Sequence, residues 1–191
     1  MKDAIIRAFE DSARTKKAFL KDNLETLLAV IDLTAEAFLR GNKLLLFGNG
    51  GSAADAQHIA AEFVNRFRMD RPPLPALSLT TDTSAITSIA NDFDYKEIFA
   101  KQVKALGKEG DIALAISTSG NAANVLAAID TCKQLKITTV ALTGGDGGKM
   151  ASKVDHLLCV SEGKNTARIQ ETHILVGHVI CEMVDLKLFS A

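Results

Sequence analysis

Short apolar runs alternate with helical stretches along most of this chain, and that alternation limits the folds open to it. The runs at 43–47, 76–79, 112–116, 138–142 and 156–160 have the length of buried strands. Between and after them the spacing predicts helices over 53–67, 83–91, 96–106, 122–135, 148–153 and 166–188. Parallel strands need crossover connections, so this order implies an α/β fold with a parallel sheet covered on both faces. Right-handed crossovers make it a three-layer sandwich. Ligands in such sheets lie beyond the carboxyl ends of the strands, near the point where strand order reverses.

Residues 1–41 stand outside this rhythm. Ile5, Ile6, Phe9 and Ala13 form one helical stripe; Leu24, Leu27, Leu28, Ile31, Phe38 and Leu39 form another, with Gly41-Asn42 as a stop signal. A helical pair ahead of the first strand is no crossover. Its apolar faces need cover from the domain's own core or from a second subunit, and packing against another subunit is the expectation. The 191 residues, 47% hydrophobic and 24% charged, suffice for one domain, 1–191, with a proper core. Arg71-Pro72-Pro73-Leu74-Pro75 reads as a stiff lead-in to the second strand.

Composition removes several classes of function. Net charge is −1 with no basic block, which argues against nucleic acid and acidic membranes as partners. One Tyr and no Trp leave little for base stacking. Cys132, Cys159 and Cys181 are widely spaced and odd in number, so they read as small core residues rather than a disulfide or zinc framework. Charges interrupt every long apolar run, and the expectation is a soluble cytoplasmic protein.

Two strand-end loops carry chemistry. Gly48-Asn49-Gly50-Gly51-Ser52 lets backbone approach a ligand, with Ser52 as the expected N-cap of the next helix. Ser117-Thr118-Ser119-Gly120-Asn121 crowds three hydroxyls after a very apolar strand and before a helix N-terminus, a setting for a phosphate. A third loop, 143–148, holds four glycines and reads as a flexible turn. His58 and Glu62, at i and i+4, share one helix face and suit a metal or acid/base work; a plain surface pair is the other reading. Gln170, Glu171, His173 and His178 lie on the last helix. Gln170 and His178 are about 12 Å apart along its axis, so His173 is the easier neighbour of Gln170.

Read together, Gly48 to His58, Asn91-Asp92-Phe93, Ile116 to Asn121 and Ala167-Arg168-Ile169-Gln170-Glu171 resemble the sugar isomerase (SIS) domain family, most closely its phosphoheptose isomerase branch. The resemblance covers essentially the whole chain. It implies a five-stranded flavodoxin-like sheet with an N-terminal helical extension, and a homotetramer with sites at subunit interfaces. It implies one zinc per site, held by His58, Glu62, Gln170 and His178; an intersubunit site would allow Gln170 and His178 to come from different chains. Glu62 and His178 match the family's base and acid. Asn49, Gly50, Gly51, Asn91, Asp92, Ser117, Thr118, Ser119 and Gln170 match its substrate contacts, and Ser52 is a further candidate.

The implied reaction converts sedoheptulose 7-phosphate to D-glycero-D-manno-heptose 7-phosphate through a cis-enediol, at the start of ADP-heptose and lipopolysaccharide core synthesis. Ala122 stands where the family usually has a serine, so one hydrogen bond to phosphate is missing or is supplied by Ser52 or a water. The alternatives are isomerisation of another sugar phosphate, or a non-catalytic SIS module that associates with the replication initiator. That module lacks the matching glutamate and last histidine, and both are present here as Glu62 and His178.

Overall fold

The computed structural model describes residues 1–190. Its order is α1 (Lys2–Leu39), β1 (Leu44–Gly48), α2 (Gly51–Val64), β2 (Ala76–Ser78), α3 (Thr83–Asp92), α4 (Ile98–Leu106), β3 (Ile112–Ser117), α5 (Ala123–Gln134), β4 (Thr138–Gly144), β5 (His156–Val160) and α6 (Thr166–Phe189). The five strands are all parallel, in the order β2-β1-β3-β4-β5. This is the doubly wound flavodoxin-like arrangement, with its reversal between β1 and β3.

Strand alternation sorts side chains to two sides of the sheet. Leu44, Leu46, Ile112, Leu114, Ile116, Val140 and Leu142 face a core shared with α1, α2 and α6. Leu45, Phe47, Ala113, Ala115 and Ala141 face α4 and α5. The alanines on that second side let α5 lie close to the central strands.

The N-terminal region is one continuous helix of 38 residues, not the expected pair. No residue between the two stripes breaks helix geometry, and both lie on faces of a single rod. From Phe19 onward it packs on the chain's own core, through Phe19, Leu27, Val30, Ile31 and Phe38. Ile5, Ile6 and Phe9 remain exposed, as do Leu20, Leu24 and Leu28. At its end Gly41 takes φ +73°, and the amides of Asn42 and Gly41 donate to the Ala37 and Phe38 carbonyls, a Schellman closure. Asn23 clamps the backbone of Cys159, accepting from its amide (3.1 Å) and donating to its carbonyl (3.2 Å), which covers the free edge of β5.

Three further helix predictions differ from the structure. The helix expected over 53–67 runs Gly51–Val64 and leaves Phe67 outside it. The 148–153 stretch forms only a short 3-10 turn at Gly148–Met150, because the preceding glycines sit at positive φ. Helix α4 begins at Ile98, after a separate 3-10 turn at Tyr95–Glu97. Cys132 and Cys181 are buried, whereas Cys159 is half-buried on the edge strand. No helix among the described residues is long and apolar enough to cross a membrane.

Candidate functional site

The loops after β1 and β3 meet where the strand order reverses. Gly48 and Ile116 are paired in the sheet, so the two loops leave it side by side. Between them lies a cleft of about 190 Å³ lined by Asn49, Ser52, Ser117, Thr118, Ser119 and Gln170, with Ile116 and Ala122. Ser52 is not the N-cap of α2. That place falls to Gly50 (φ 56°), and Ser52 lies inside the first turn, buried, on the side that lines the cleft. The N-cap of α5 is Ala122, which has no side-chain cap. Val125 donates its amide to Asn124 Oδ1 (2.9 Å), so the amides of Ala123 and Asn124 are the first-turn donors left for a ligand, and an anion there would meet both amides and hydroxyls.

Neighbouring groups hold this cleft in shape. A Cβ on Gly51 would overlap the Gln170 amide, so the glycine admits α6 to the site. Gly120 has φ +63°, and a Cβ on it would overlap the Gly147 carbonyl. The glycine-rich loop after β4 is thus a buttress of the serine loop rather than a free turn. Met150 donates its amide to Gly120, and Lys149 donates to the Asn121 side chain (3.1 Å). Asn121 also donates to the Ser119 carbonyl at 2.8 Å.

Two residues here were not singled out from sequence. Asn124, buried, exchanges reciprocal amide hydrogen bonds with Asn49, both 2.8 Å. Tyr95 donates its hydroxyl to Asn49 Oδ1 at 3.2 Å. The one tyrosine of the chain, three residues past Asp92, was the signal available for Tyr95; Asn124 offered none apart from its place in the first turn of α5. Asn91 and Asp92 are exposed at the end of α3 and bond to each other at 2.9 Å. They do not line the cleft.

Further along α2 lies a second group. His58, Glu62 and His178 offer ligand atoms that all lie within 4.8 Å of one another, and all three come from one chain. His58 Nε2 is 2.8 Å from His178 Nε2 and 3.3 Å from Glu62 Oε1. No second subunit is needed to bring these residues together. Gln170 does not need one either to reach the cleft: its amide lies against Gly51, two turns before His178 on the same helix. Two imidazole nitrogens and a carboxylate oxygen at this spacing are a donor set that fits zinc with a position left open. Asp55, one turn before His58, has a carboxyl pushed up by burial, with the His58 charge acting the other way.

His173 is a core residue. It is fully buried and bonds the Thr143 carbonyl through Nε2 at 3.0 Å. Burial pushes its pKa down to about 4, the carbonyl contact acting the other way.

Comparison with known proteins agrees with this architecture. The SIS domain model matches residues 9–144, and the chain belongs to that family. It is 51% identical over its full length to the phosphoheptose isomerase of Thermodesulfovibrio yellowstonii, covering 94% of that protein. The phosphoheptose isomerase structure from Neisseria gonorrhoeae superimposes with a TM-score of 0.90 at 43% identity, covering 96% of this chain and 98% of that one. The Francisella tularensis phosphoheptose isomerase gives 0.92 at 39% identity, covering 96% and 97%.

Proposed function

We propose that the protein is a phosphoheptose isomerase, interconverting sedoheptulose 7-phosphate and D-glycero-D-manno-heptose 7-phosphate. The observation that carries this reading is the pairing of two sites on the same two helices. A hydroxyl-lined cleft sits at one end, and the His58, Glu62 and His178 group lies further along α2 and α6. The offset is on the order of 10 Å, from six residues between Ser52 and His58 and eight between Gln170 and His178 at 1.5 Å each. A heptose phosphate reacting at C1 and C2 with its phosphate on C7 spans such a distance; a short sugar phosphate does not.

In this reading Ser117, Thr118, Ser119 and the α5 amides bind the phosphate, and Gln170 and Asn49 orient the chain of hydroxyls. Phosphate binding remote from the reacting carbons fixes C1 and C2 against the proton-transfer pair. Glu62 removes the carbon-bound proton, and His178 donates a proton to the carbonyl oxygen, giving the cis-enediol. Glu62 then returns a proton to the adjacent carbon while His178 takes the proton from the other enediol oxygen, which becomes the new carbonyl, with the roles exchanged in reverse. His58, Glu62 and His178 would hold a zinc ion, which when bound supplies a Lewis acid for the substrate oxygens. The chain acts as one domain in a homotetramer, supported by the exposed apolar residues along α1. A cytoplasmic setting fits three cysteines that stay unpaired.

The test is an NMR time course with sedoheptulose 7-phosphate on metal-stripped and zinc-restored protein. The reading expects aldose only after zinc is restored. Equal turnover in both samples would remove the metal from the mechanism. No aldose in either sample, with the protein folded, would overturn the substrate assignment.

A further inference from the structure

The segment between α2 and β2 lies across α6 in a regular way. Three of its residues meet three residues of one α6 face, spaced i, i+4 and i+7. Phe67 stacks on His178, with ring centroids 5.2 Å apart and planes 26° apart. Arg68 pairs with Glu182, one turn further on. Arg71 pairs with Asp185 at 2.8 Å, with both side chains buried. Arg71 also donates to the carbonyls of Phe63 (2.6 Å) and Glu62 (2.9 Å) at the end of α2. Phe67 thus lies between the end of α2 at Val64 and the anchors Arg68 and Arg71, the second of which ties the segment back to α2.

We propose that Phe67 is a positioning residue for His178: its ring closes one face of the imidazole and fixes the angle at which Nε2 meets His58 and Glu62. This rests on the reading of His178 as the proton-transfer partner of Glu62. The second imidazole torsion is broad and weakly preferred in isolation. His178 is only partly buried, so helix geometry alone leaves its ring free to turn. On one side the His58 ring approaches edge-on, with centroids 5.0 Å apart and planes at 63°. Phe67 supplies the flat surface that the imidazole lies on. An offset-stacked pair restrains a ring without donating or accepting a proton, which suits a residue that must orient an acid and leave its chemistry alone. Neither Arg68 nor Arg71 can do this, because both bind α6 beyond the imidazole.

The test compares Phe67→Leu and Phe67→Met with Phe67→Tyr, which keeps the ring. Two readouts are used. The first is the ring-proton resonance of His178 in metal-free, histidine-labelled protein. The second is kcat and KM on sedoheptulose 7-phosphate with zinc present. The leucine and methionine variants are expected to lose ring-current shielding at His178. Their kcat should fall on the order of 10-fold with KM within twofold, as a misoriented catalytic group costs rate before binding. The tyrosine variant should keep both near wild type. An unmoved resonance in both aliphatic variants would mean that the stack is absent and would overturn the proposal. Full kcat in the aliphatic variants, or an equal loss in the tyrosine variant, would overturn it as well. If the wild-type chain does not isomerise the heptose phosphate, the proposed function fails on its own, and the resonance still decides whether Phe67 holds the ring.

Discussion

Replacing Arg71 by methionine is the sharpest structural perturbation available in this chain. The side chain is 1% exposed and its partner Asp185 is 3% exposed. Methionine fills much of the volume but leaves the Asp185 carboxylate buried without its cation. Breaking a buried pair in this way costs about 3–5 kcal/mol. The Glu62 and Phe63 carbonyls also lose their guanidinium donor, at roughly 1 kcal/mol or more each where water does not replace it. These losses overlap and do not simply add. A working value is therefore about 4 kcal/mol, which at ~2–4 °C per kcal/mol for a chain of this size lowers the melting temperature by ~8–16 °C. The assay is thermal unfolding at one fixed protein concentration, since assembly would shift the midpoint by mass action. Arg71→Met combined with Asp185→Leu removes the orphan charge and should recover about half the loss, leaving the part due to the carbonyls. A midpoint within 2 °C of wild type for the single variant, about 1 kcal/mol or less, would refute the claim that this pair is dry and joins α2 to α6.

Further outcomes follow from the same geometry. Glu62→Gln should keep the fold and substrate binding but lose at least ~100-fold in kcat, the scale of a positioned acid or base; steady-state kinetics check this. Ser119→Ala should mainly raise KM, and a collapse of kcat at constant KM would give Ser119 some other role. His173, with a folded pKa of about 4 against an ordinary 6.5, takes up its proton more readily in the unfolded chain. Stability contributed by keeping it neutral is full above pH 6.5 and falls as pH drops toward 4, by up to about 3 kcal/mol. Urea titrations across that window should show the slope, and His173→Leu should flatten it. Lys136 closes α5 in the left-handed conformation at φ 55°, and its ion pair with Glu109 is largely exposed. Lys136→Gly should therefore raise stability by about 0.5–1 kcal/mol, read as a melting midpoint a few degrees higher.

The sheet was legible in the sequence because its strands are buried on both faces. Runs such as Ile112-Ala113-Leu114-Ala115-Ile116 have no polar interruption, and a glycine or hydroxyl loop marks each of the first and third strand ends. The N-terminal rod was harder. A change of stripe within a helix looks like two helices, and only packing reveals that one face turns from exposed to buried along a single rod. The pairing of His58 with Glu62 followed from i, i+4 spacing, but the arrival of His178 beside them depends on how α6 lies against α2, which is long-range packing. Within one chain the two residues about 12 Å apart along α6 fall at different places: Gln170 lines the cleft, while His178 stands with His58 and Glu62. Asn124 and the glycine buttress at 144–148 act through contacts between loops distant in sequence, and no local pattern announces them. The spacing of Phe67, Arg68 and Arg71 becomes meaningful only when set against His178, Glu182 and Asp185.

The most direct measurement is the isomerisation run in deuterium oxide, with the product read by NMR and mass. Transfer of a proton by Glu62 through a cis-enediol predicts deuterium on the reacting carbon, C2 of the aldose or C1 of the ketose in reverse, and its disappearance together with turnover in Glu62→Gln. Complete conversion with no deuterium on either carbon, unchanged in Glu62→Gln, would contradict the assignment of this side chain as the group that moves the proton.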